Sequence, residues 1–278
     1  MTAALFAATV IGDIAIHEEP MTFPTIDPVF LRIGPLEFRW YGLMYILAFT
    51  AAYFVLQTGA KNRKLPLSKD DVADLVFSVA IGIILGGRLG YIIFYNLSYY
   101  IANPLKVFAV WEGGMSFHGG LVGATTAGIL FCRKRKLGFF AMADLVSLTG
   151  PIGLMLGRIG NFINGELYGR VTDLPWGIVF PNGGPLPRHP SQLYEAFLEG
   201  PLTLFILYLI WRKHRATGTV FWSFVALYGL FRTFVEFFRE PDQQIGFIAQ
   251  YFSMGQLLSF PMFLLGCGIV WQLNRKKT

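Results

Sequence analysis

Charge is scarce in this chain. Only 14% of its 278 residues are Asp, Glu, Lys or Arg, against roughly 25% in soluble domains, which excludes an ordinary water-facing surface. Cysteine is nearly absent. Cys132 and Cys267 are too few for a disulfide framework, and both fall in apolar stretches where a free thiol acts as a small hydrophobe. The four histidines, His17, His118, His189 and His214, have neither HxxxH spacing nor paired cysteines beside them, so no metal and no cofactor is expected. No internal repeat of the transporter kind is visible. Met1 to Ile16 is apolar but lacks a basic n-region, so it does not read as a cleaved signal peptide. Met21 offers an alternative start.

What the chain has is apolar length. Hydrophobic residues make up 54% of it, with a mean hydropathy of +0.51. Seven stretches approach the roughly 20 residues that cross a hydrocarbon core as a helix. They are Tyr41 to Thr58, Val72 to Leu97, Phe117 to Cys132, Asp144 to Ile163, Leu193 to Trp211, Val220 to Phe238 and Gln256 to Trp271. The expected fold is an all-α integral membrane protein of seven transmembrane helices over residues 41–271. An extracytoplasmic segment (1–40, of which 1–20 lies upstream of the alternative start) precedes it and a basic tail (272–278) follows. Glycines at 82, 86, 87 and 90 in the second stretch and 119, 120, 123 and 128 in the third suit close helix packing.

Basic residues set the orientation, because loops rich in Lys and Arg stay cytoplasmic. Fourteen of the 23 lie on one side, around Lys61–Lys69, Arg133–Lys136, Arg212–Arg215 and Arg275–Lys277, and six lie on the other. The N-terminus is therefore expected outside and the C-terminus in the cytoplasm. The net charge of +6 is a topological signal and not a reason to expect nucleic acid. Outer loops at 98–116 and 165–192, rich in aromatic residues, Gly and Pro, read as arms or lids at the bilayer surface.

The charges that remain inside or at the outer ends of these stretches are Arg88, Arg158, Arg232, Glu166, Glu195 and Glu236. Such charges are expensive in lipid, so they are paired or functional. All fall toward the outer part of the expected membrane, which suits a cavity open to the outer leaflet more than a path through the full depth. Arg158 and Asn161 share a helix face. An Arg158–Glu166 ion pair and a phosphate bound by the Arg158 fork are both open readings. Tyr228, Arg232 and Glu236 form a stripe at i, i+4 and i+8, with Arg239 three residues on. The stripe reads as a self-satisfied pair or as one half of a site where two arginines share an anion.

The stretch Gly157-Arg158-Ile159-Gly160-Asn161-Phe162-Ile163-Asn164-Gly165-Glu166-Leu167-Tyr168-Gly169 resembles the signature of the prolipoprotein diacylglyceryl transferases. The likeness continues in Trp40 to Tyr45, Gly86-Gly87-Arg88, Gly114 to Gly120, Arg188 to Glu195 and Phe231 to Arg239. The resemblance implies a bacterial inner-membrane enzyme of lipoprotein biosynthesis with its active site toward the outer leaflet. Its substrates would be phosphatidylglycerol and the signal peptide of a prolipoprotein bearing a lipobox cysteine. The diacylglyceryl group passes to that thiol, giving a thioether and glycerol 1-phosphate. Carried over residue by residue, His118, Tyr228, Arg232 and Glu236 would be catalytic. Tyr41, Arg158, Asn161, Glu166, Gly169 and Arg239 would bind phosphatidylglycerol.

The residues agree with that chemistry. A thiol is mostly protonated at neutral pH, and His118 is suited to take its proton, although a helix-start histidine equally suits a capping or surface role. Arg158 and Arg232 would offset charge on the departing phosphate. A transporter and a lipid-binding structural protein are the competing classes. The lack of repeats, the outward bias of the charges and the odd helix count oppose the first, and the second has no use for His118.

Overall fold

The computed structural model describes residues 21–34, 36–213, 215–240, 247–248 and 252–275. The expectations placed on residues 1–20 and 276–278, and on His17 and His214, lie outside them. Helices occupy all seven expected stretches. They are α1 (Trp40–Asn62), α2 (Lys69–Tyr95), α4 (Phe117–Arg135), α5 with α6 (Phe139–Val146 and Gly150–Ile163), α7 with α8 (Ser191–Phe197 and Thr203–Arg212), α9 (Thr219–Val235) and α10 (Met254–Arg275). A short α3 (Leu97–Ala102) belongs to the first outer loop. Four of these units are long and apolar enough to cross a membrane, namely α1, α2, α7 with α8, and α10, and the bent α5–α6 pair makes five.

The chain is mostly helical, in keeping with the all-α expectation, and its loops hold short strand pairs. β1 (Met21–Thr22) runs parallel to β4 (Ile178–Val179). β2 (Val29–Ile33) and β3 (Leu36–Arg39) form an antiparallel hairpin, and β5 (Phe247–Ile248) pairs with β6 (Phe252–Ser253). Loop backbone that belongs to no helix needs hydrogen-bond partners, and these pairs supply them.

Local chemistry explains the helix ends. Ser68 and Asp71 form a reciprocal capping box at the start of α2, and the Ser116 hydroxyl accepts from Gly119 N at 3.2 Å to open α4. The stretch expected as one helix from Asp144 to Ile163 is instead bent by 41° between α5 and α6. Pro151 at the start of α6 has no N–H to continue a helix through the break. Asp144, at the end of α5, is buried and accepts from Gly218 N (2.7 Å) and Phe221 N (2.8 Å), capping α9.

The most extensive packing joins α2 to α4 and α9 to α10. In the first pair a Cβ on Gly82 would fall 2.6 Å from Gly123 O, and one on Gly90 would fall 2.8 Å from the Gly119 Cα. Five of the eight glycines picked out by sequence therefore sit where only hydrogen fits, namely 82, 86, 90, 119 and 123. Gly128 faces open space. The apolar core, with Leu56, Leu75, Phe131, Leu145, Leu207 and Val220, lies at the end of the bundle where Lys61, Arg133–Arg135 and Arg212 stand. Elsewhere the helices present a broad apolar perimeter, with Ile46, Phe54, Phe77 and Phe205 each about 60% exposed or more. Water does not tolerate a surface of this extent on a monomer.

Candidate active site

At the bundle end opposite the basic helix termini, α6, α7 with the turn after it, and α9 with the residues that follow it bring six charges together, Arg158, Glu195, Glu199, Arg232, Glu236 and Arg239. Glu195, on α7, is fully buried and sits at the centre. Its Oε1 accepts from Arg232 Nη1 at 2.6 Å and from Arg239 Nη1 at 3.2 Å. Arg158 Nε approaches its Oε2 to 2.6 Å, close enough for an ion pair but out of line, so that oxygen gains no hydrogen bond. Arg232 also pairs with Glu236 one turn on. Glu236 is fixed from β6, just before α10, since its Oε2 accepts from Ser253 Oγ at 2.6 Å. Tyr228 lies within electrostatic reach of Glu199, Arg232, Arg158 and Glu195.

This arrangement answers the ion-pair readings. Arg158 does not pair with Glu166. Glu166 Oε1 instead accepts from Asn161 Nδ2 (2.8 Å) and Asn164 Nδ2 (3.2 Å), because the turn after α6 folds Glu166 back over Asn161, with Glu166 N donating to Asn161 O. Arg158 and Arg232 do share an anion, and it is the carboxylate of Glu195. The two arginines are held differently. Both terminal nitrogens of Arg232 are engaged by Glu195 and Glu236. Arg158 comes nearest to the carboxylates through Nε, and its two Nη atoms make no hydrogen bond among the described residues. A guanidinium anchored by its Nε edge leaves a two-nitrogen fork available for a phosphate.

Tyr41, at the start of α1, packs its ring against Gly160, where a Cβ would fall 2.8 Å from the ring. Its hydroxyl feels Glu166 and Arg158. Gly169 is demanded by a seam in the second outer loop. Its N donates to His189 O at 2.8 Å, and a Cβ there would collide with the His189 Cβ at 2.7 Å. Arg170 and Arg188 stitch the same loop to the end of α9. Arg170 donates to the carbonyls of Arg239 and Glu236, and Arg188 donates to Gly169 O and Glu240. Burial and the nearby Arg170 cation hold His189 below its usual range, and its Nδ1 lies within hydrogen-bond distance of the Tyr194 hydroxyl, at 3.2 Å.

Two residues singled out in the sequence stand apart from the six charges. His118 is exposed at the start of α4, a helix that packs on α2 and lightly on α5. Its one ring contact among the described residues is Phe117, and it touches none of the six charges. Arg88 is buried without an acidic partner. It donates to the carbonyls of Lys106, Val107, Ala109, Gly113 and Gly114 and so pins the first outer loop. That loop carries Leu105, Phe108 and Trp111, each more than 70% exposed.

Sequence reasoning left Glu195 out of the site and passed over Glu199 entirely. The signal was present, because two glutamates stand four apart in an apolar helix, the spacing that puts both on one face.

Residues 28–272 match the family model described as prolipoprotein diacylglyceryl transferase. The chain is similar to proteins called phosphatidylglycerol–prolipoprotein diacylglyceryl transferase. That of Geobacter sulfurreducens is 65% identical over 257 residues, covering 92% of this chain and 99% of the relative. That of Photobacterium profundum is 52% identical, covering 88% and 92%, and that of Desulfotalea psychrophila is 49% identical, covering 92% and 97%.

Proposed function

The chain belongs to the prolipoprotein diacylglyceryl transferase family, and from that premise we propose how its site performs the transfer. The protein is a transferase that moves a diacylglyceryl group from phosphatidylglycerol to prolipoprotein. The sn-1,2-diacylglyceryl carbon bonded to phosphate is attacked by the lipobox cysteine sulfur. A carbon–sulfur bond forms as the carbon–oxygen bond breaks, the electron pair stays on the phosphate oxygen, and glycerol 1-phosphate leaves. The proton lost by the thiol balances the charge gained by the phosphate.

One observation carries the reading. Arg158 approaches Glu195 most closely by its Nε edge and keeps its Nη fork free of hydrogen bonds among the described residues, beside a buried array of opposite charges. That fork grips the phosphodiester and follows it as charge develops. Arg232, Glu236 and Arg239 hold Glu195 and set the field, Tyr228 borders the pocket, and Asn161, Glu166, Gly169 and Tyr41 shape its outer wall. His118 takes the thiol proton at the mouth. Its exposed ring, free of polar contacts among the described residues, supports that role.

The seven helical stretches are read as seven crossings with the N-terminus outside, the C-terminus in the cytoplasm and the site facing the outer leaflet of the bacterial inner membrane. Basic residues close α1, α4, α8 and α10, which supports this orientation. The 17 residues of α9 span about 26 Å, near the thickness of the hydrocarbon core. Residues 41–271 are then the catalytic domain. The test is to incubate purified protein with phosphatidylglycerol and a lipobox peptide and weigh the peptide. A diacylglyceryl mass gain that disappears when the peptide cysteine is replaced by serine is expected, and no gain would end the reading.

A further inference from the structure

Glu199 has no part in the chemistry above, yet its placement is unusual. It is fully buried one turn beyond Glu195, and neither carboxylate oxygen receives a hydrogen bond. Its nearest cation is Arg158, whose Nε stands 3.5 Å from Oε2. The charges around it are Arg158 from α6, Glu195 from its own helix and Arg232 from α9, with Tyr228 of α9 also beside it. A carboxylate kept only to hold helices together would have its lone pairs filled, because an unfilled buried acceptor is costly and well-packed apolar residues serve structure at least as well.

The backbone arranges this placement. Residues Leu198–Leu202 form a π turn with Gly200 outside helical geometry (φ −93°, ψ −108°) and Pro201 after it, a device that recurs at functional sites. At Gly200 the helix comes so near α6 that a Cβ would lie 2.7 Å from the Met155 Cβ. Met155 precedes Arg158 on α6 by three residues, so the same close approach turns Glu199 toward Arg158.

We propose that Glu199 is a positioning residue for lipid binding, the reserve partner onto which Arg158 Nε shifts from Glu195 when a lipid phosphate enters the fork. The shift is short, since Nε already lies 2.6 Å from one carboxylate and 3.5 Å from the other. An incoming phosphate repels Glu195, which Arg232 and Arg239 retain. Glu199 then keeps the Nε edge of Arg158 anchored while its Nη atoms close on the phosphate. This rests on the reading of Arg158 as the phosphate fork.

Glu199→Leu and Glu199→Gln in the full-length chain test it, with KM for phosphatidylglycerol, kcat and Tm measured in detergent. Glu199→Leu is expected to raise KM about 10- to 100-fold, the worth of one charge-assisted hydrogen bond, with kcat within a few-fold of wild type. Glu199→Gln, whose amide oxygen still accepts, should raise KM less. Tm should hold or rise in both, because a buried acid whose oxygens receive no hydrogen bond is removed. Unchanged KM in both variants overturns the proposal, as does a Leu variant that fails to fold or an activity loss that tracks a fall in Tm. Wild-type protein inert toward phosphatidylglycerol and the peptide would instead refute the function itself.

Discussion

Replacing Arg158 by lysine separates charge from geometry at the centre of the site. The lysine ammonium keeps the positive charge that Glu195 and Glu199 face, so neither carboxylate is left facing an uncompensated gap, which costs about 3 to 5 kcal/mol when one partner of a buried pair is deleted outright. A single ammonium cannot serve both edges as the guanidinium does. It settles between the two carboxylates, 2.6 and 3.5 Å from the present Nε, and leaves nothing for the phosphate. The loss is then two charge-assisted hydrogen bonds, about 3 to 5 kcal/mol together, and each 1.4 kcal/mol is about tenfold. We expect Arg158→Lys to lower kcat/KM for phosphatidylglycerol by about 10² to 10⁴ while Tm in detergent moves little. Mass spectrometry of the lipobox peptide over time gives the rate. A kcat/KM within about fivefold of wild type would refute the fork.

Arg232→Ala should abolish peptide modification and lower Tm as well, because both Nη atoms of Arg232 are committed to Glu195 and Glu236 and about 3 to 5 kcal/mol is lost when such a buried pair is broken; full activity or an unchanged Tm would contradict this. His118→Gln should retain phosphatidylglycerol binding but slow transfer by about 10² to 10⁴, with part of the rate returning at high pH where the peptide thiol ionises unaided. An unchanged rate makes His118 a bystander, and lost lipid binding makes it a head-group ligand. Cys132→Ala and Cys267→Ala should leave transfer near wild type, since the attacking sulfur belongs to the substrate and one thiol is buried in the core while the other is exposed; a folded but dead double variant would show that an enzyme thiol takes part.

Periodicity and composition alone determined where helices form, that glycines let α2 and α4 close together, and that Tyr228, Arg232 and Glu236 share a face, though only the packing showed which five of the eight glycines make that contact. These properties depend on neighbours within a few residues, so they survive without knowledge of the fold. The ordered motifs from Trp40 to Arg239 likewise carried the family. Partner choice is different. Glu195 meets Arg158, Arg232 and Arg239 because α6, α7 and α9 converge, and charges 37 to 44 positions apart become neighbours only when the helices are packed. Packing also withheld Glu166 from Arg158, gave Arg88 to five loop carbonyls in place of an acid, bent α5 against α6, and kept His118 apart from the charged cluster. A helical face shows which way a side chain leaves its helix, but in lipid the cost of an unpaired charge is offset between helices, so only the tertiary structure decides which partner meets it.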